Sequence, residues 1–473
     1  MSKHHISRRK FLGQASCAAL GTTTFLSTLL NLKTMSAAAG FNTSGYTTRN
    51  DYRALVCLSF SGGNDAFNML IPTDQSEYQN YANTRSNLAL PLSGPGAILP
   101  IQVQNTPGRT FGLHPSLTKT SQLFDQGHIS FVSNVGTLIQ PVTKQQVYNG
   151  MADLPLGLYS HSDQQMHWHT GVPSQRAAVG WGGKIADLLQ AANGNSNISL
   201  NLSLSGSNLF QTGNETVEYT LDPTEGSRGI KNTDEWYDWW NPSLHSIAIN
   251  SQLDQTYADP FKQSYKEVVR ISRDGHQLIV SALEGVSRFT IPFEETYLSQ
   301  SFHMVAKMIA AREALGLQKQ IFFIDYGGWD HHDELLGNQA AMLAEVDDAL
   351  YSFSAAIEEL GLSEQVTTFS LSEFSRTLTS NGNGTDHAWG SNAFMMGGAV
   401  RGSRIFGDYP DLTLNNPLDL YGGVLIPTMS TDVYFAELAL WFGVPASELP
   451  LLFPNIGTFF NIQSGTMPIG ILG

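Results

Sequence analysis

The sequence is short of cysteine, of basic residues and of long apolar runs. Its two cysteines are Cys17 and Cys57, and because Cys17 lies in a segment that we expect to be removed, the mature chain can form no internal disulfide. Its 41 Asp and Glu outnumber its 26 Lys and Arg, which argues against nucleic acid as a partner. Beyond the N-terminal segment no apolar stretch reaches the roughly 18 residues that cross a bilayer, so we expect no transmembrane segment in the mature chain.

The N-terminus has the features of an export signal. Twin arginines in Ser7-Arg8-Arg9-Lys10-Phe11-Leu12 precede a mildly apolar run, and Ala37-Ala38-Ala39 offers small residues for cleavage after Ala39. The sequence therefore predicts a twin-arginine signal peptide over residues 1–39, export in the folded state, and a periplasmic or secreted protein. A disordered basic tail is the alternative. Cleavage would leave 21 basic and 41 acidic residues, a net charge of −20.

Apolar strand patterns alternate with helical patterns at both ends of the chain. The predicted strands lie at about 54–60, 129–135, 320–325 and 366–371, and the predicted helices begin at 114–116 and span 338–361. This order indicates an α/β fold with a parallel sheet. Between about 190 and 295 the sequence becomes a mixture of Ser, Asn, Leu and aromatic residues. We interpret that segment as an inserted lobe in one domain of residues 40–473.

Acidic and histidine residues follow three of these strands. The segments are Ser61–Asp65, Gly327–His332 and Gly384–His387. In open α/β sheets the functional residues gather beyond the carboxyl ends of the strands, so these segments are predicted to meet. Alone, each motif is more typical of a turn residue or of a hydrogen-bonded structural Asp–His pair than of a metal site. Together they favour a divalent cation site, because carboxylate oxygen and imidazole nitrogen suit zinc, manganese or iron.

The chain resembles the exported family called domain of unknown function 1501, a branch of the alkaline phosphatase-like superfamily. The resemblance covers nearly the whole mature chain. The segments that carry it are Phe60–Asp65, Leu113–Leu117, Ser160–Gly171, Gly327–His332 and Ser372–Thr377 with Gly384–His387. It implies a three-layer α/β sandwich with a mostly parallel sheet. It also implies a site that hydrolyses phosphate or sulfate esters.

The resemblance also implies which residues bind metal. Asp65 would match the first metal-binding Asp, and Asp386 with His387 the late Asp-His pair. Asp330 and His332 would match the middle pair, although their spacing is shorter than Asp-x-x-x-His and His331 is equally reachable. The implied cofactor is one or two divalent ions: zinc, with manganese, iron and calcium as alternatives.

One expected ligand has no counterpart. The superfamily carries a last His that this chain lacks, since no His follows His387. His114, His161 and His169 are the candidates to replace it. One metal site is therefore predicted to be incomplete or differently built.

Three further residues are predicted to act in catalysis. Esterases of this type need a hydroxyl near the metal. Ser160 is our candidate, with Ser162 as runner-up and a helix N-cap as the structural alternative for either. Glu373 is predicted to orient a ligand or to move a proton, and Arg376 to pair with a substrate anion. A Glu373–Arg376 salt bridge is the alternative for that pair.

Two functions from different classes follow. The first is an exported metal-dependent hydrolase of a phosphate or sulfate ester, acting on a small molecule or on a glycan-linked anionic ester. The second is a non-catalytic exported binding or assembly protein that keeps the hydrolase fold and acts with another exported protein. Trp236, Trp239 and Trp240 indicate either a bulky, sugar-like substrate or the core of the inserted lobe.

Overall fold

The computed structural model of the chain describes residues 52–195, 197–229 and 242–473. The predicted signal peptide and the three tryptophans of the inserted segment lie outside these residues. Among the helices of the described ranges, none is long and apolar enough to cross a membrane.

Strands and helices alternate along the described chain. The strands are β1 (Arg53–Ser59), β2 (Leu70–Pro72), β3 (Leu99–Ile101), β4 (Phe111–Leu113), β5 (Ile129–Gly136), β6 (Asn201–Ser203), β7 (Tyr219–Thr220), β8 (Lys319–Asp325), β9 (Val366–Leu371), β10 (Ser391–Met396), β11 (Ile405–Phe406) and β12 (Met429–Ser430). The α-helices are α1 (Gln75–Arg85), α2 (Thr118–Asp125), α3 (Lys144–Tyr148), α4 (His161–Thr170), α5 (Trp181–Leu189), α6 (Pro242–Asp254), α7 (Pro260–Glu284), α8 (Tyr297–Ala310), α9 (Leu335–Glu359), α10 (Thr431–Phe442), α11 (Leu449–Leu452) and α12 (Ile456–Phe459).

The main sheet of the described chain has nine strands. Their order is β11-β5-β10-β9-β1-β8-β6-β7, and β12 pairs with β5. Six of the strand pairs are parallel, and only β10 runs antiparallel to its neighbours β5 and β9. A second, antiparallel sheet of β2, β4 and β3 forms from the chain between β1 and α2. The predicted α/β fold with a mostly parallel sheet is confirmed.

Both faces of the main sheet are covered. Alternate residues of β1 enter two separate cores: Ala54, Val56 and Leu58 on one face, and Leu55 and Cys57 on the other. Helices α2, α8 and α9 supply the first core, while α5 and α10 supply the second. The side chain of Cys57 is inaccessible to solvent and its thiol is free. This is the three-layer arrangement that continuous apolar strands require.

The predicted elements differ from the observed ones mainly at one helix start. We expected a helix from His114, but α2 begins at Thr118. The ring of the buried His114 accepts a hydrogen bond from the backbone N–H of Ser116 at 3.1 Å. The carboxylate of Asp347, on α9, accepts from the backbone N–H groups of Lys119 and Thr120 at 2.9 and 2.6 Å. A side chain distant in sequence therefore caps this helix.

The segment predicted as an inserted lobe contributes to the edge of the main sheet. Its strand β6 pairs with β8 in parallel, and β7 extends the sheet by pairing with β6. Helices α6 and α7 follow. Several apolar side chains of α7 point to solvent, with exposed fractions of 84% for Phe261, 72% for Tyr265 and 63% for Val268.

A buried carboxylate holds the C-terminal segment against the sheet. Glu437 of α10 is fully buried. Its oxygens accept hydrogen bonds from the backbone N–H groups of Ile469 and Leu472, both at 2.8 Å, and of Gly470 at 3.2 Å. Charge-assisted bonds of this kind are stronger than neutral ones.

We predict that Glu437→Gln lowers the free energy of unfolding by about 1.5–3 kcal/mol, because the neutral amide weakens charged hydrogen bonds in a buried setting. Urea unfolding followed by circular dichroism measures the change. The control is Glu313→Gln, whose side chain is 84% exposed and which should change stability by less than about 0.5 kcal/mol. Equal effects of the two substitutions would show that Glu437 does not hold the C-terminal segment.

Candidate metal centre

The alignment of three parallel strands brings the predicted motifs to one edge of the sheet. Ser59 of β1 lies opposite Asp325 of β8 and opposite Leu371 of β9. The loops that follow these strands therefore start side by side. At the first of them Gly62 has φ +122°, and a Cβ there would lie 2.5 Å from the backbone nitrogen of Asp330. Only glycine allows this close approach.

Four of the predicted ligands meet in one cluster. The carboxylate oxygen Oδ1 of Asp330 lies 3.1 Å from His332 Nε2 and 3.2 Å from His387 Nε2. These two imidazole nitrogens are 3.1 Å apart. The other ring nitrogen of His332 is 3.2 Å from Asp386 Oδ1. The structure thus places Asp330, His332, Asp386 and His387 together, as the sequence predicted.

A fifth residue, His161, joins this cluster from the start of α4. Its Nε2 lies 3.4 Å from Asp330 Oδ2, and its ring packs edge-on against that of His387 with centroids 4.3 Å apart. Possible donor atoms of His161, Asp330 and His387 all lie within 4.8 Å of one another. We call these five residues the His–Asp cluster: His161, Asp330, His332, Asp386 and His387.

The structure decides among the three histidines proposed to replace the missing late ligand. His161 lies in the His–Asp cluster. His114 is buried near α2, and His169 packs its ring against Phe210 and Phe323 in a core. Burial lowers the pKa of both His114 and His169 to about 4. Their positions assign them to packing.

The donor set of the cluster fits a divalent cation. Donors that each lie about 2.0–2.2 Å from one ion are themselves roughly 3.0–3.5 Å apart. The separations among Asp330 Oδ1, His332 Nε2 and His387 Nε2, 3.1–3.2 Å, fall in this range. In addition, the buried Nε2 of His161 makes no hydrogen bond, and such a group calls for an explanation. Mixed imidazole and carboxylate donors suit zinc or a similar ion.

Asp65 is not part of the cluster, contrary to the role predicted for it. It is fully buried and forms an ion pair with the equally buried Arg85 of α1. Its backbone carbonyl accepts a hydrogen bond from Gln339 at 2.7 Å. The guanidinium supplies the positive charge that a carboxylate in this position requires. His331 also faces inward, and burial lowers its pKa.

The guanidinium of Arg376 ties the three loops together. Its Nη1 donates to the carbonyl of Gly62 at 3.3 Å and to Asp330 Oδ1 at 2.6 Å, while Nη2 donates to the carbonyl of Thr385 at 2.6 Å. The side chain has no exposed surface. The role predicted for Arg376, direct pairing with a substrate anion, does not agree with this enclosure. Arg376 instead positions Asp330.

Glu373 orients His161, which agrees with one of the roles predicted for it. Its Oε1 lies 2.8 Å from His161 Nδ1 and accepts hydrogen bonds from the backbone N–H of Gly62 at 2.8 Å and from Gln165 at 3.2 Å. The carboxylate is almost completely buried. A ligand histidine is commonly held by such a carboxylate, which fixes its ring and its tautomer.

Ser160 lies immediately before α4, next to His161. Its hydroxyl is 3.3 Å from that of Ser162 and makes no capping bond to the helix. Ser160 thus occupies the N-cap position, in agreement with the structural alternative, although its side chain does not form the cap. The preceding residue makes a further contact that no sequence pattern indicated: the carbonyl of Tyr159 lies 2.8 Å from His387 Nδ1 and fixes that ring.

Burial and neighbouring charges shift the pKa values of the residues in the cluster in different directions. Burial raises the pKa of Asp330, but hydrogen bonding and charge from Arg376 outweigh it, so that the pKa is lowered. The hydrogen bond from Glu373 raises the pKa of His161. Burial lowers the pKa of His387. Asp330 is thus anionic and His387 neutral near pH 7, which are the forms that bind a cation.

Residues 52–444 match a family model described as "Protein of unknown function (DUF1501)". No curated protein matches the chain significantly. The family match spans the central sheet, the His–Asp cluster and the residues that orient it.

Several solved structures resemble the chain at low identity. The PsFucS1 sulfatase from Pseudoalteromonas sp. is 10% identical with a TM-score of 0.36, over 88% of this chain and 72% of that chain. Ps i-CgsB in complex with k-i-k-neocarrahexaose is 10% identical with a TM-score of 0.31, over 87% and 77%. A TAB5 alkaline phosphatase variant with Mg bound in its M3 site is 12% identical with a TM-score of 0.26, over 73% and 90%.

We predict that Glu373→Gln lowers the pKa of His161 in the metal-free protein, because the substitution removes the anionic partner of its imidazolium. NMR titration of the histidine ring protons measures the shift, with His161→Gln identifying the signal and Glu313→Gln as the control.

The raised pKa of His161 determines how the stability that it gains from Glu373 changes with pH. The stability that His161 gains from Glu373 is fully present below its unfolded pKa of about 6.5 and is lost as the pH rises through the folded value. The advantage of the wild-type chain over Glu373→Gln should therefore shrink from pH 6 towards pH 9. A His161 pKa that does not respond to Glu373→Gln would contradict this assignment.

Proposed function

Since the chain belongs to the DUF1501 family, whose description assigns no activity, we propose a function from its geometry: a metal-dependent hydrolase of a phosphate or sulfate ester. The observation that carries the proposal is the convergence of imidazole and carboxylate donors from two separate loops and from α4 at one end of the sheet. Several such groups beside one another are costly to keep unless they bind something.

His161, Asp330, His332 and His387 would hold the ion, with Asp386 either as a further donor or as the partner of His332. When bound, a divalent ion supplies positive charge that stabilises the ester oxygens and lowers the pKa of a nearby hydroxyl or water. Zinc is our first candidate, with manganese, iron and calcium as alternatives. The distances fit one ion, and the Asp65–Arg85 ion pair removes one residue from any second site.

The surrounding residues fix the donors before substrate arrives. Glu373 holds the ring of His161, Arg376 holds Asp330, and the carbonyl of Tyr159 holds His387. Such preorganisation avoids the cost of arranging the groups during the reaction. We propose Ser160 as the nucleophile, because it directly precedes His161 in the chain and its hydroxyl makes no capping bond to α4. Ser162 is the runner-up.

We also propose that the protein acts outside the cytoplasm. The support is the twin-arginine motif with its apolar run and small-residue cleavage site, together with a mature net charge of −20. Export by this route carries folded proteins and would allow the ion to be bound beforehand.

Metal analysis tests the proposed site. Elemental mass spectrometry of the purified protein should find at least one divalent ion per chain, and Asp330→Asn and His387→Ala should each remove most of it. Asp65→Asn should retain the ion, because Asp65 lies apart from the cluster. The control is His276→Gln, since His276 lies on α7 and contacts Ser227. An ion content that no cluster variant lowers would contradict the site.

Turnover of p-nitrophenyl phosphate and p-nitrophenyl sulfate then tests the reaction. Ser160→Ala and His387→Ala should each lower kcat/KM at least about a hundredfold, whereas Ser162→Ala should have a much smaller effect. A metal-loaded chain that cleaves neither ester would refute the hydrolase.

A second candidate function, binding to another exported protein without catalysis, is favoured by the surface of α7. Phe261, Tyr265, Val268 and Ile271 recur at helical spacing and have exposed fractions of 84%, 72%, 63% and 43%. Contiguous exposed apolar surface is typical of protein-binding sites.

For this second function we predict that native gel electrophoresis of the source extract shows the protein in a larger complex. The double substitution Phe261→Ser and Val268→Ser should release the free chain, because it removes the apolar contact. The control is Val217→Ser, at a 66% exposed residue outside α7. If the unsubstituted protein migrates as a free chain on the native gel, the proposed complex with a partner is refuted.

A further inference from the structure

Three tyrosines lie beside the His–Asp cluster. The carbonyl of Tyr159 fixes His387, and its ring packs edge-on against that of Tyr421 with centroids 6.4 Å apart. The side chain of Tyr159 packs against a small core that includes Leu420, the neighbour of Tyr421. The hydroxyl of Tyr148 donates to the carbonyl of Leu420, the neighbour of Tyr421. We call these residues the tyrosine patch.

The patch includes a strained residue. Tyr159 has φ +74°, a left-handed conformation that a bulky side chain rarely adopts and that costs free energy. Residues held in this way cluster at functional sites, where the surrounding structure maintains the strain. Here the unusual backbone turns the carbonyl towards His387 and the ring towards Tyr421. One residue therefore couples the patch to the metal ligands.

The patch also exposes apolar surface to solvent above a small buried core. Tyr148 and Tyr421 are each 57% exposed. Beneath them lies a small core that includes Trp389, Leu420 and Val424. Exposed apolar surface of this kind marks a binding site more often than chance.

We propose that the tyrosine patch binds the alcohol portion of the ester, and that this portion is a sugar ring. The inference rests on the proposed hydrolase function, because the patch is joined to the cluster by the contact between the Tyr159 carbonyl and His387. Tyrosine offers an apolar ring with a polar tip, which matches the apolar face and hydroxyl edge of a sugar. Hydrogen-bond partners for those hydroxyls stand nearby: Asp386 is 62% exposed and contacts the exposed side chain of Asn381.

Steady-state kinetics with esters that carry a sugar ring and esters that lack one test the proposal. The esters are methyl phosphate and methyl sulfate, a hexose phosphate and a hexose sulfate, and the p-nitrophenyl esters. Tyr421→Ala and Tyr148→Ala should raise KM for the hexose ester about fivefold to tenfold with little change in kcat, and should affect the methyl ester much less. Tyr148→Phe keeps the ring and should resemble the wild type. The control is Val217→Ala, at a 66% exposed residue outside the tyrosine patch.

A binding measurement separates failure of this inference from failure of the proposed function. Saturation-transfer NMR with a methyl hexopyranoside, which carries no ester, should show contact in the wild type that the Tyr148→Ala and Tyr421→Ala double variant loses. If that holds while no ester is cleaved, the sugar site stands and the hydrolase fails. If methyl esters are cleaved but the substitutions do not change hexose ester KM, the hydrolase stands and the sugar site is overturned. If the tyrosine substitutions impair turnover of the p-nitrophenyl esters alone, the sugar site is also overturned, and the patch binds an aryl group instead.

Discussion

The guanidinium of Arg376 holds together the three loops on which the site depends. Its hydrogen bonds reach the loop after β1 through Gly62, the loop after β8 through Asp330 and the loop after β9 through Thr385. A buried guanidinium with several fixed donors suits this purpose, because it is always charged and its planar geometry holds each acceptor in place. Asp330, which contacts both His332 and His387, thereby has one position. The arrangement of the cluster follows from this contact.

A second layer of contacts fixes the histidines. Glu373, buried and bound by the backbone of Gly62, orients His161, and the strained Tyr159 orients His387. Each of these groups belongs to a segment next to a proposed ligand or nucleophile. The fold thus combines two requirements in short stretches of chain: donors that face the edge of the sheet and neighbours that hold them. The free energy stored at Tyr159 is consistent with a functional position.

Two arginines near the site, Arg376 and Arg85, affect the acidic residues beside them differently. Arg376 lies between loops and leaves Asp330 anionic with one face open to solvent, whereas Arg85 pairs with Asp65 inside the core. The charge of Asp65 is already compensated by a buried guanidinium, so this carboxylate needs no cation for that purpose. The same residue type therefore supports the candidate metal centre in one place and removes a predicted ligand from it in the other.

The amino-acid sequence by itself determined four strands of the main sheet, helix α9 and most of the cluster. The apolar runs of β1, β5, β8 and β9 and the helical spacing of α9 are local signals, and Asp330, His332, Asp386 and His387 follow strands whose ends must meet in a parallel sheet. The start of α2 was not predictable, because Asp347 caps it from α9.

The tertiary structure alone decided which polar residues face the cluster. Asp65 follows a strand and two glycines, as a ligand would, yet its role depends on Arg85, which α1 brings to it within the core. His114, His161 and His169 were equivalent in sequence, and only the position of α4 placed His161 against Asp330. The physical reason is common to these cases. Periodicity and turn residues act over a few neighbours, whereas the partner of a charged or imidazole side chain is chosen by packing between segments distant in sequence.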